Sequence, residues 1–139
     1  MTDYEKRKAE FRQRTKRYAS VVVRSYCELP KRTECQVLGK QFLRSGTSVA
    51  ANYREASRAR SDAAQCEAQQ ADRRSATKWQ FVSKIDQCAQ EADETLLWIE
   101  LLQEDCHVDS EALRFLHKES DELIAIFTTM SRNVKSRMK

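Results

Sequence analysis

Apolar residues recur along this chain at alternating steps of four and three, a rhythm that belongs to packed helices. The first stripe is Phe11, Thr15, Tyr18, Val22, Ser25 and Leu29. It stops at Pro30, which cannot continue a helix interior. A second helix starts at Thr33, where Gln36 completes a capping box, and follows Leu38, Phe42, Val49, Tyr53 and Ala56. The third stripe is the most regular: Phe81, Ile85, Cys88, Ala92, Thr95, Ile99, Leu102 and Cys106. The fourth is Leu113, Leu116, Ser120, Leu123, Phe127, Met130 and Val134. Asp109 is its expected N-cap, because Val108 and Leu113 then hold the two hydrophobic-staple positions. The spacing predicts helices over about 3–29, 33–60, 62–106 and 110–136. With 2 Gly and 1 Pro in 139 residues, little is available for the tight turns of a sheet. The length suits one domain. Four amphipathic helices joined by mostly short links predict an all-α, antiparallel up-down four-helix bundle.

Charge is distributed unevenly. Residues 1–24 hold eight basic and three acidic side chains, and the segment from Arg132 to Lys139 holds four basic residues and no acid. Between Ile85 and Glu111 there are nine acids and no Lys or Arg. Basic ends of this kind meet phosphate, or the acidic stretch of a neighbouring subunit. The 5 cysteines, at 27, 35, 66, 88 and 106, are odd in number and widely spaced without a C-x-x-C. With no signal peptide in evidence, they are expected to be reduced thiols of a cytoplasmic protein. Cys88 and Cys106 fall on the third stripe as small core residues.

Two features go beyond a monomeric bundle. In the run from Leu96 to Leu102 only Glu100 is polar. A helix apolar on nearly every side is covered on nearly every side. The outward residues Leu97, Trp98 and Leu101 are therefore expected to meet another copy of the chain, the alternative being a central helix within one thick bundle. The second feature is a polar line, Gln41, Ser45, Ser48, Asn52 and Glu55, beside the apolar face of helix two. Gly46, Ala50 and Ala51 permit close backbone approach there. Small polar residues at this spacing form a hydrogen-bonded helix contact, and the line lacks the base-and-nucleophile pairing of catalysis.

The stretch from Lys40 to Ala56 reads LRSGTSVAANYREA over its last fourteen residues. A second block, Glu91 to Leu102, reads EADETLLWIELL. Together they resemble the signature of a bacterial four-helix-bundle family named for reading frames in intervening sequences of 23S ribosomal RNA genes. The resemblance covers most of the chain. It implies an all-α bundle, a ring-shaped homopentamer, no cofactor and no established enzymatic activity. Arg44, Ser45, Ser48, Asn52, Arg54, Glu55, Glu91 and Glu94 stand at its polar motif positions. A distantly similar protein is the accessory factor of diversity-generating retroelements, thought to bind a reverse transcriptase and its RNA, an analogy of fold and charge. This chain departs from the family pattern in two places. Ala50 stands where Gly is common, and Ser61 to Gln80 carries about fifteen residues beyond a typical helix–helix link. That stretch is rich in helix formers and is expected to prolong helix two, helix three or both, with a disordered loop as the lesser alternative.

Enzymatic readings find little support in the residues. Glu104 and His107 make one Glu-x-x-His, but a ferritin-like di-metal site needs two, and His117 has Arg114 three residues before it. Cys106 and His107 lack partners for zinc. Neither histidine has the Arg spacing of a helical ribonuclease, and Gly39 and Gly46 lie inside a helical pattern rather than in a phosphate loop. Glu91 and Glu94 are expected to pair with Arg44 or Arg54 across helices, or to cross to a neighbouring subunit. Nucleic-acid binding is the stronger expectation. Lys6, Arg7, Lys8, Arg12, Arg14, Lys16 and Arg17 crowd helix one, with Tyr4 and Tyr18 nearby. Arg132, Lys135 and Arg137 close helix four at the same end of the bundle. The expected function is a non-enzymatic scaffold that binds RNA or a nucleic-acid-processing protein. The alternative is a purely structural interaction module with no nucleic-acid role, docking a protein through residues 61–80.

Overall fold

In a computed structural model the backbone is described for residues 1–65 and 71–138, and side chains for 1–60 and 76–138. Helix α1 spans Asp3–Cys27. It opens on a capping box: the Glu5 N–H donates to the Thr2 hydroxyl and the Thr2 N–H to the Glu5 carboxylate, both at 3.1 Å. It ends at Cys27, two residues short of the predicted Leu29. The N–H groups of Glu28 and Leu29 fold back onto the carbonyls of Ser25 and Tyr26, which tightens the last turn ahead of Pro30.

Helix α2 spans Thr33–Gln65. Thr33 is already helical, so it does not cap. The Gln36 side chain instead donates to the Pro30 carbonyl at 2.8 Å, tying the helix start to the turn before it. Helix α3 spans Ala71–Glu104 and α4 spans Glu111–Arg137. Both middle helices run into the 61–80 stretch, of which residues 66–70 and the side chains of 61–75 lie outside the described residues. Cys66 is among these. The predicted N-cap of α4 is corrected by one residue. Ser110 accepts from the Leu113 N–H at 3.1 Å, and Asp109 pairs with Arg114 instead. The link between α3 and α4 turns on His107, whose φ of 57° lies in the left-handed region. The Val108 N–H then returns to the Leu102 carbonyl at 3.0 Å.

Each helix packs against the two that flank it in the order α1, α2, α3, α4 and back to α1, and among the described residues the backbones of diagonal helices do not approach closely, meeting only through core side chains such as Tyr53 and Phe127. This is an all-α, up-down four-helix bundle. The α1–α4 seam is the thinnest of the four. The core takes the stripes almost as the sequence lays them out, from Tyr18 and Val22 through Phe42, Val49, Ile85, Ile99 and Leu102 to Leu116, Leu123 and Phe127. Leu38 is only partly buried, and Cys35 takes the core position beside it. Close approach of α1 and α2 depends on Gly46: a Cβ there would stand 2.7 Å from both methyls of Val22.

One polar layer crosses this core. The hydroxyls of Tyr18 on α1 and Ser120 on α4 lie 2.6 Å apart. Thr95 on α3 donates to Ser45 on α2 at 2.7 Å. All four residues are fully buried, and each helix contributes one hydroxyl. Burial pushes the Tyr18 phenol up to about 12, although hydrogen bonds from Ser120 and Thr95 pull the other way.

Candidate functional site

Up-down connection brings the start of α1, the end of α2, the start of α3 and the end of α4 to one pole. Side-chain contacts make the junction tangible. The Arg60 guanidinium of α2 lies over the Tyr4 ring of α1 at 5.3 Å and over the Phe81 ring of α3 at 5.0 Å. Below them Phe11 meets Tyr53 edge-on at 4.8 Å and Phe127 at 5.6 Å. Tyr4, Phe11, Tyr53, Arg60 and Phe81 line an open-mouthed aromatic cavity of about 120 Å³. Arg7, Lys8 and Ser57 also border it, and Met130 of α4 closes one side. Burial raises the Tyr53 phenol above its ordinary value; Tyr4 adds to the rise and the Arg60 charge opposes it.

The basic residues singled out in the sequence divide into several groups. Lys6, Arg7, Arg12, Lys16, Arg132 and Arg137 are exposed, and Lys8 is half-buried at the cavity. Lys16 and Arg17 lie along a groove between α1 and α2, while Arg132 and Lys135 lie along one between α3 and α4. Arg14, Arg17 and Lys135 are among those engaged within the bundle. Arg14 forks onto Glu119 at 2.6 and 3.0 Å and reaches Glu122 at 2.8 Å. Arg17 sits over the Phe115 ring at 5.4 Å, and Lys135 pairs with Asp86 at 3.2 Å. Tyr18, grouped with the basic residues on sequence, is buried in the hydroxyl layer and takes no part in the surface. Asp3 and Glu5 share the basic pole, and Glu5 is committed to the α1 cap.

The motif residues organise the α2–α3 seam. Arg44 reaches Glu94 at 3.0 Å and Glu91 at 3.5 Å. Burial raises the Glu91 carboxyl, and Arg44 only partly offsets it. The Ser48 hydroxyl donates to the Arg44 carbonyl of its own helix at 2.7 Å, and Glu55 pairs with Lys84 at 2.6 Å. Asn52 is half-buried and Arg54 exposed. Gln41, at the head of the polar line, is exposed.

On the outer face of α3, Leu97 is 48% exposed. Trp98 and Leu101 are half-buried, and the indole N–H of Trp98 is shielded from water with no partner among the described residues. No cluster of three His, Cys, Asp or Glu side chains fit to hold a metal occurs among the described residues. Glu104 and His107 are both exposed. His117 faces Glu100 at 3.7 Å. The four described cysteines are free. Burial pushes Cys88 up to about 12 and raises Cys106, which also feels Cys35 across the α2–α3 end. A thiol so placed is a poor nucleophile at neutral pH. No helix among the described residues is long and apolar enough to cross a membrane.

The aromatic cavity is what sequence reasoning missed. Phe11, Tyr53 and Phe81 each read as an ordinary core position on its own helix, and only the fold brings them to Tyr4 and Arg60. The one available sign was Thr2-x-x-Glu5, a capping box that fixes Tyr4 in the first turn.

No protein-family model matches the chain, and no curated protein does. A solved structure does match: a protein of unknown function from the S23 ribosomal protein family of Bacteroides thetaiotaomicron VPI-5482. It is 28% identical in sequence, with a TM-score of 0.64. The match covers 86% of this chain and 96% of that one. The four-helix architecture is thus shared, over nearly the whole of its relative, with a protein from that family.

Proposed function

We propose that this chain is a cytoplasmic member of the family associated with 23S ribosomal RNA intervening sequences, acting as a non-enzymatic oligomeric scaffold that binds RNA. The observation that carries the RNA reading is the basic pole. Lys6 and Arg7 of α1, Arg58 and Arg60 of α2, and Arg132 and Arg137 of α4 converge at one end of the bundle by topology alone. Cations gathered in this way release counterions when they meet a phosphate backbone, so affinity falls steeply with salt. Family membership is supported by the two motif blocks and by the structural likeness. Assembly is supported by the exposed Leu97 on the outer face of α3. A pentamer is the number that the resemblance implies. Free thiols suit a reducing compartment.

Size-exclusion chromatography with light scattering, at low and at high salt, tests assembly and RNA binding together. The expected result is a mass near that of a pentamer, carrying RNA that is stripped at high salt. Reversing Lys6, Arg7 and Arg132 to Glu is expected to weaken RNA binding across sequences. It is also expected to lower the salt slope by about one for each phosphate that is no longer neutralised. RNA binding unchanged by that reversal would remove the basic pole as the interface. Absence of RNA at every salt concentration would favour a protein-interaction module.

A further inference from the structure

The outermost line of α3 and the groove between α1 and α2 are complementary in shape and charge. We propose that the α3 line of one copy seats in the α1–α2 groove of a second copy, head to tail; this rests on the assembly reading above and names the two surfaces that meet. The line on α3 is Gln90, Asp93, Leu97, Glu100 and Glu104, at steps of three and four residues on the side away from the core. Leu97 is 48% exposed and stands between two carboxylates. Asp93 and Glu104 are exposed, and Glu100 faces His117 at 3.7 Å. The groove has the opposite character. Ala19, Ser20, Val23 and Ala50 line it, Lys16 and Arg24 flank them, and no carboxylate is among its described residues. Its volume of about 670 Å³ has room for the several side chains that one helix face presents.

The two surfaces also lie at the same height. Tyr18 and Thr95 meet in the hydroxyl layer, and α1 and α3 run in the same direction. Counting along both helices from that layer brings Lys16 level with Asp93, Ser20 with Leu97, and Arg24 with Leu101 beside Glu100, to within about one turn. Two upright copies side by side therefore put an apolar knob among small residues with an ion pair above and below, an apolar centre with a charged rim. Two α3 lines would set acid against acid, and two grooves cation against cation. Because α1 and α3 stand diagonally in the bundle, each copy gives its α3 line to one neighbour and its groove to another. A contact of this kind without axial shift closes into a ring rather than a filament. The basic pole, at the helix ends, stays open.

The test uses the full chain, with mass read by light scattering and helicity by circular dichroism. Lys16→Glu together with Arg24→Glu is expected to lower the assembled mass to that of one chain with helicity unchanged, since both side chains are exposed. Asp93→Lys together with Glu100→Lys is expected to do the same. All four changes in one chain exchange the two sets of charges and are expected to restore the assembled mass. A second measurement keeps the native charges: Leu97→p-benzoylphenylalanine, activated by light, is expected to cross-link to α1 of another copy between residues 16 and 24. Cross-linking of position 97 to position 97 would overturn the head-to-tail contact in favour of a two-fold one. Assembly unmoved by either reversal, even with RNA lost from the Lys16→Glu, Arg24→Glu chain, would overturn the pairing of these surfaces and leave the oligomer standing. Failure of the four-change chain to reassemble would overturn the pairing likewise. A single-chain mass for the unaltered protein would overturn both readings.

Discussion

Gly46 is held to its identity by Val22. A β-branched residue in a helix has one strongly preferred rotamer, and both Val22 methyls face the glycine in a fully buried position. Gly46→Ala gains helix propensity of up to about 1 kcal/mol. Overpacking between α1 and α2 costs about 1–3 kcal/mol, so the net expectation is a lower urea midpoint with little change in slope. Tyr18 makes a second expectation at this scale. Its phenol is raised to about 12 when folded and is near 10.0 otherwise. Between those values the folded chain keeps a proton that the unfolded chain releases. Stability contributed by this group is therefore intact below pH 10 and declines from there towards pH 12. Denaturation midpoints measured from pH 8 to 11 are expected to fall above 10 with a slope that Tyr18→Phe flattens, at the cost of the Ser120 hydrogen bond.

The seam between α1 and α4 shows how thinly packed helices are held together. Few backbone positions approach closely there, and the forked Arg14–Glu119 pair crosses it beside the Tyr18–Ser120 hydrogen bond and the Phe11–Phe127 ring contact. The Glu119 side chain is 11% exposed and Arg14 35%, so the pair lies between a surface bridge and a buried one. Arg14→Met is expected to cost about 1–2 kcal/mol, because it strands a nearly buried carboxylate. In a Glu119→Gln background the same change is expected to cost less, and a double-mutant cycle in urea reads the difference. At this scale most of the architecture was legible. The stripes named the core faces, and one Pro and two Gly left few places for the chain to turn. Ends were less legible. Asp109 and Ser110 are both good N-caps, and only the path of the chain after His107 decides between them. Pro30 marks where α1 cannot be, yet the helix stops earlier because its last N–H groups fold back.

Across the whole molecule, topology turns a mild net charge of +4 into a local one. Basic residues far apart in sequence share one pole, and the acids of α3 are partly spent on Arg44 and Lys135 along the sides. The motif blocks were legible as paired partners because each lies within one helix and the two helices are sequence neighbours. The cavity was not, because its walls come from positions as distant as Tyr4 and Met130, each legible only as part of its own helix. The buried hydroxyls of Tyr18, Ser45, Thr95 and Ser120 add a mechanical consequence. They act as a fulcrum part-way up the bundle, fixing the height of every helix while its free arm extends towards the basic end. Tyr4 lies fourteen residues below Tyr18, an arm of roughly 20 Å at 1.5 Å per residue. A tilt of about 5° at the fulcrum moves the end of that arm by nearly 2 Å, on the order of one helix step. Arg14 on Glu119 and Phe11 against Tyr53 and Phe127 hold that arm in place, so the aperture of the aromatic cavity is set by the angle at which α1 is clamped against its two neighbours.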